Sequence, residues 1–226
     1  MRMRWRVLVV IGLMSSYAFA DLDGVVTQDD YARWPHAEIP YIIDEALPQA
    51  NRIALVEAMA LWQNETLVRF VEITPQNQML YADYARFKPG PGKTCDSFVG
   101  RQGGEQAVLL APRCHTMLSA HELGHLIGLW HEQSRPDRDA YVEILWENIR
   151  EKHYANFSRR DREGRNEGAY DYDSIMHYSG RAFSKNGLPT IIPRDKDAII
   201  GQRDHLSKGD ISAVNTLYSM TNFKDR

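Results

Sequence analysis

Residues 121–131 read His-Glu-Leu-Gly-His-Leu-Ile-Gly-Leu-Trp-His. Histidines four apart lie one above the other on a helix, so His121 and His125 can aim ring nitrogens at one cation at roughly 2.0–2.1 Å. Glu122 projects beside the same place without ligating, positioned to accept a proton from a water activated there. Gly128 adds a turn. If the helix ends there, glycine takes the left-handed conformation without steric penalty and reverses the chain, bringing His131 in as a third ligand. Three neutral imidazoles leave a coordination position open, as a catalytic zinc site requires. A single histidine more often caps a helix or satisfies a core hydrogen bond, and the two-histidine pattern alone recurs by coincidence. Five fixed residue types at these spacings point to zinc.

The pattern is that of the metzincin proteases, which carry a methionine turn downstream, and Ser174-Ile175-Met176-His177-Tyr178 fits that turn. More narrowly, the run from His121 to Asp139 together with Ser174–Tyr178 resembles the signature of the astacin family of zinc endopeptidases. Supporting matches run along most of the chain: Trp34 with Ile39-Pro40-Tyr41, Arg69-Phe70-Val71, Cys95 with Val99-Gly100-Arg101, Asn156-Phe157, and 182–187. The resemblance implies an α+β, two-lobed zincin-like protease domain. Its N-terminal lobe holds a twisted sheet and two long helices, and its C-terminal lobe is loop-rich with a final helix. It also implies one catalytic Zn2+ on His121, His125 and His131, with Glu122 as the base. Tyr178 is implied as a further metal ligand at rest that swings off to stabilise the oxyanion, and Met176 as apolar support beneath the metal.

Three further implications concern stability and latency. Cys95 and Cys114 match one of the family's two disulfides. The places of the second are held by Leu67 and Met220, which are therefore expected to touch. Glu132, next to His131, holds the place of the glutamate that pairs with a newly cut N-terminal ammonium. Counting back from Trp34 puts that N terminus near Val25, after Asp21-Leu22-Asp23-Gly24. Asp23 precedes Gly24, the reverse of the order in the family's aspartate switch, so the expectation is either no zymogen or trimming of these four residues.

The elements that must position these groups follow from periodicity. A helix is predicted over 45–63, with Ile53, Val56 and Ala60 in one apolar row and Leu55, Met59 and Trp62 in another, a stripe wide enough for deep burial. Strands at 39–43 and 67–73 flank it and suggest a βαβ unit, the second buried on both faces. A short strand at 106–111 precedes a helix over 116–130 that carries the histidines. Ser207 and Asp210 can cap a last helix, with Ile211, Val214 and Tyr218 inward. A substrate peptide would lie extended along an edge strand, either 106–111 or the segment after Cys95. Arg181 follows the methionine turn but reads equally as a surface arginine.

The 226 residues, 43% hydrophobic, bury one substantial core, which excludes disorder and disulfide-only scaffolds. Lys and Arg total 27 against 30 Asp and Glu, without long runs of one sign, so nucleic-acid binding is not expected. Residues 1–20 combine Arg2, Arg4 and Arg6, a short apolar run and Ala18-Phe19-Ala20, the pattern of a cleaved export signal. That apolar run is shorter than the roughly 20 residues that span a bilayer, so no stable membrane insertion is expected. The reading is a signal peptide at 1–20, a short pro-segment or remnant at 21–24 and a catalytic domain at 25–226, secreted or periplasmic. The short remnant and missing disulfide point towards a bacterial member. The expected partner is an extended protein or peptide substrate. A catalytically silent zinc-binding or adhesion module on the same fold is the rival, and it has no need of Glu122.

Overall fold

The structure, a computed structural model, describes residues 24–219. Strand β1 (Val25–Thr27) is the first element among the described residues. After it, β2 (Glu38–Ile43), helix α1 (Gln49–Glu65) and β3 (Arg69–Glu72) form the expected βαβ unit, with Ile39 opposite Phe70 in a parallel pair. Strands β4 (Tyr84–Pro89), β5 (Cys95–Asp96) and β6 (Glu105–Leu110) complete a sheet of order β3-β2-β4-β6-β5, in which only β5 runs antiparallel to its neighbour.

Helix α1 starts at Gln49 rather than residue 45, because Asp44 and Pro48 shape a turn first: the Ala46 amide donates to the Asp44 carboxylate at 2.9 Å, and Leu47 N donates to Asp44 O at 3.0 Å. Its burial is one-sided. Leu55, Met59 and Trp62 are buried, whereas Ile53 and Val56 are 51% and 54% exposed, so the row of Ile53 and Val56 faces outward. The expectation of burial on both faces also fails for β3. It is an edge strand whose Arg69 and Glu72 are exposed and whose Phe70 and Val71 are half-buried.

Helix α2 (Thr116–Ile127) packs beside α1, and the Trp62 indole N–H donates to Ala120 O at 2.9 Å. Beyond it the chain is built of short 3-10 turns with two small antiparallel pairs. These are β7 (Val142–Ile144) with β9 (Ile191–Pro193), and β1 with β8 (Gly164–Asn166). Val142, Ile149, Phe157, Tyr170 and Ile191 form a second, smaller core there. Helix α3 (Lys208–Ser219) begins as expected, with Ser207 Oγ accepting from Asp210 N and the Asp210 carboxylate accepting from Ser207 N, both at 2.9 Å. Although it ends the loop-rich part, α3 joins the main core. Tyr218 Oη donates to Ile127 O at 2.7 Å and the Trp34 indole N–H to Leu126 O at 2.8 Å, so both large rings are buried with their polar ends satisfied.

The Leu67–Met220 expectation lies partly outside the described residues, since Met220 is not among them. Leu67 itself is 47% exposed at the rim of an open hollow between the end of α1 and α3. A polar clamp ties the two ends here. Asn215 Oδ1 accepts from Leu67 N at 2.9 Å, and Asn215 Nδ2 donates to Glu65 O at 3.3 Å.

Candidate metal centre

The helical repeat of α2 sets His121 and His125 side by side, ring centroids 4.8 Å apart. The helix stops at Ile127, not at Trp130, because Gly128 adopts φ 127° and its N–H closes onto His125 O at 2.9 Å. A side chain there would be strained by the backbone and would meet Leu217 and Thr27 within 3.1–3.3 Å. Strand β1 grips the turn that follows. Thr27 N donates to Gly128 O and Trp130 N to Val25 O, each at 2.9 Å. The next residue is His131, whose Nε2 lies 3.2 Å from that of His121 and 3.1 Å from that of His125.

These three nitrogens fit a cation. His121 Nδ1 and His125 Nδ1 each lie 2.8 Å from a backbone carbonyl, of Ile175 and Leu129 respectively. A carbonyl only accepts, so both Nδ1 atoms carry the hydrogen and both Nε2 atoms present lone pairs. Burial pushes all three imidazoles down from the usual histidine range, His125 to about 4, so they are neutral at physiological pH. The Nε2 lone pairs of His121 and His125 thus face one point beside His131 Nε2, and tetrahedral zinc with 2.0–2.1 Å bonds needs about 3.4 Å between nitrogens. The His121, His125 and His131 triad is positioned to bind one metal ion.

The expected methionine turn lies against this helix. Met176 is buried, and an added Cβ on Gly124 would come within 2.6 Å of its Sδ. A glycine inside a helix costs about 1 kcal/mol against alanine, so Gly124 marks a close approach that alanine would block. Asp210 of α3 holds the turn from behind: its carboxylate accepts from Ser174 Oγ at 2.6 Å and from Ile175 N at 2.9 Å.

A profile of the Astacin peptidase family matches residues 26–219, from β1 to the end of α3. The chain belongs to the astacin family. It is 41% identical over 189 residues to zinc metalloproteinase nas-14 of Caenorhabditis elegans, covering 82% of this chain and 37% of that protein. It is 40% identical over 196 residues to human Tolloid-like protein 2, covering 82% and 18%. The chain thus spans well under half the length of these two relatives. Among solved structures, the hatching-enzyme zinc-protease high choriolytic enzyme 1 of Oryzias latipes superposes with a TM-score of 0.73 at 34% identity, covering 83% of this chain and 92% of that one.

In this astacin-family chain the histidines line a cleft of about 650 Å³, together with Cys95, Asp96, Glu122, Tyr178 and Arg203. Glu122 is 6% exposed, and burial with the nearby charge of Asp96 pushes its carboxyl up to about 8. The Tyr178 ring lies 4.2 Å from that of His131, and burial raises its phenol above the usual range. Cys95 and Cys114 form a disulfide with Cα atoms 6.1 Å apart. The strand edge at the cleft is β5, not 106–111, because β6 is paired on both sides, by β4 and by β5. Arg181 is exposed and outside the cleft lining.

Glu132 is 1% exposed beneath the site. Its Oε1 accepts from Asp171 N at 2.8 Å and from Arg135 at 3.3 Å, whereas Oε2 has no hydrogen-bonding partner among the described residues. Burial holds its carboxyl well above the usual range. A Cβ placed on Gly24 would stand 3.6 Å from that oxygen.

Arg203 and Asp210 did not emerge from the sequence as site residues. Arg203 donates to the carbonyls of His177 and Gln202, at 3.0 and 2.6 Å, and its charge opposes the rise of Glu122. It comes from an irregular loop with no periodicity to betray it. Gly124 carried a legible signal, a glycine where a helix prefers alanine.

Proposed function

We propose that this chain is a zinc-dependent endopeptidase acting on protein or peptide substrates held extended in the cleft. The observation that carries the reading is the convergence of the His121, His125 and His131 Nε2 atoms with Glu122 in one cleft. His121, His125 and His131 would hold the ion, which when bound supplies Lewis-acid polarisation of the scissile carbonyl and lowers the pKa of water there towards 7. The two carbonyls at Nδ1 keep the imidazoles oriented. Glu122 takes the proton of the attacking water and returns it to the leaving amine. Tyr178, by the family resemblance a metal ligand at rest, would donate its hydroxyl to the oxyanion. The substrate backbone adds to the free edge of β5 at Cys95–Asp96. Digestion of an unstructured protein is the direct test. Cleavage is expected to stop with a zinc chelator and to return with stoichiometric zinc, and continued cleavage by the metal-free protein would sink the reading.

The proposal includes export and N-terminal trimming. A disulfide suits an oxidising compartment, and no helix among the described residues is long and apolar enough to cross a membrane. The buried Glu132 Oε2 beside Gly24, which has no partner among the described residues, is where a free ammonium would supply the missing hydrogen bond. N-terminal sequencing of the active protein is therefore expected to begin at Gly24 or Val25. Active protein beginning at Met1 would refute this part.

A further inference from the structure

Gln133 is a buried amide whose side chain makes one hydrogen bond. It is 0% exposed, and its Nε2 has no hydrogen-bonding partner among the described residues. Its Oε1 accepts from Tyr178 N at 3.0 Å. A main-chain N–H only donates, so the amide must present its oxygen there and leave its nitrogen unpaired. An apolar side chain of similar length would fill the place without burying a donor that lacks an acceptor. Arg138 Nη1 donates to Gln133 O at 3.0 Å and fixes the residue from behind.

The other end of the Tyr178 main chain is held as well. Tyr178 O lies 2.7 Å from His177 Nδ1, and His177 Nε2 lies 2.7 Å from Tyr170 Oη. A carbonyl only accepts, so Nδ1 carries the hydrogen, and in a ring kept neutral by burial Nε2 then accepts from the Tyr170 hydroxyl. Tyr170 is itself braced, its ring stacked on that of Tyr141 at 4.6 Å. His177 N donates to Ser174 O at 3.1 Å, and His177 O accepts from Arg203 at 3.0 Å. The phenol of Tyr178 is held differently. It lines the cleft among the rings of His131, Phe157 and Phe183, at centroid distances of 4.2, 5.7 and 5.5 Å, and among the described residues none hydrogen-bonds its hydroxyl.

We propose that Gln133, opposed by His177 and Tyr170, is a positioning residue that clamps the main chain of Tyr178, so that the phenol turns about its own side-chain bonds on a stationary backbone. The proposal rests on the endopeptidase reading, in which that hydroxyl is a donor to the oxyanion. A donor acts on a developing charge only from a fixed place, and a misplacement of about 1 Å forfeits much of its effect. A backbone already fixed has no ordering left to do when substrate arrives.

The test is a double-mutant cycle on the zinc-loaded full chain, Gln133→Met crossed with Tyr178→Phe. Methionine keeps the length of the side chain and replaces the carbonyl by a thioether, a weak acceptor. Alone, Gln133→Met is expected to lower kcat roughly tenfold with KM within about twofold. In a chain that already carries Tyr178→Phe it is expected to change kcat by less than about twofold, since the hydroxyl it positions is gone. Amide exchange gives a reading free of turnover: Gln133→Met should speed exchange at Tyr178 N about tenfold or more, with the slow amides of α1 and α2 unchanged. Equal losses of kcat in the two backgrounds, or unchanged exchange at Tyr178 N, overturn the proposal. If Gln133→Met lowers the melting temperature, Tyr170→Phe, which acts on the opposite side of Tyr178 through His177, is put through the same cycle and decides by the same ratio. If the unaltered chain cleaves nothing while exchange at Tyr178 N depends on Gln133, the endopeptidase reading fails and the clamp on Tyr178 stands without it.

Discussion

Glutamine at position 122 is expected to lower kcat for peptide hydrolysis by roughly 10²–10⁴-fold while leaving zinc content and peptide affinity near those of the unaltered protein. The side chains have nearly the same shape, so the packing that leaves Glu122 only 6% exposed is preserved. Only the capacity to accept a proton is lost. Glu122 is not one of the three converging nitrogen donors, so metal binding should be indifferent to the change. Three measurements decide: kcat on a fluorogenic peptide, zinc per chain, and peptide binding. Undiminished turnover with full zinc would remove Glu122 from the mechanism. Loss of zinc alongside activity would instead make it a structural support of the triad. A silent binding module predicts no activity in either protein.

The second large effect concerns the disulfide. Replacing Cys95 and Cys114 together by serine opens a loop closed across 19 positions, which is expected to cost about 3 kcal/mol and to lower the melting temperature by roughly 6–12 °C for a domain of this size. A kinetic effect accompanies it. Cys95 belongs to β5, a two-residue strand held at the cleft edge by its pairing with β6, by packing on α2 and by the bridge to Cys114. Freed from Cys114, that edge should pair with substrate less readily, raising KM more than it lowers kcat. An unchanged melting temperature would mean that the reduced chain is already constrained. An unchanged KM would separate β5 from substrate binding.

What the sequence revealed depends on how locally each feature is encoded. His121, His125, Gly128 and His131 were legible because helical period and a glycine stop fix their geometry within eleven residues. The βαβ unit was legible for the same reason. The exposed face of α1 was not: periodicity marks Ile53 and Val56 as an apolar row, and only the placement of α2 and the sheet decides which row is covered. Strand β5 is too short to have a pattern, so the cleft edge was assigned to two segments rather than one. Asp210 was read as a cap, and its second task of holding Ser174 and Ile175 lies 36 and 35 residues away along the chain. The amide clamp of Asn215 on Leu67 N and Glu65 O was not legible, because nearly 150 positions separate its partners along the chain.

The grip of β1 on the turn before His131 has a consequence for the order of events during synthesis. Val25–Thr27 leave the ribosome early, but their partners at Gly164–Asn166 follow only after most of the domain has been made, a delay on the order of ten seconds at ordinary elongation rates. Until then the first strand has one side unpaired, and the Gly128–Trp130 turn it clamps is held by only part of its final contacts. Asp210, which fixes the methionine turn, arrives later still. The placement of His131 and the methionine turn are therefore among the last features to settle. The histidine cluster is completed only after β8 and α3 have been made, although its first two members lie on a helix that forms locally.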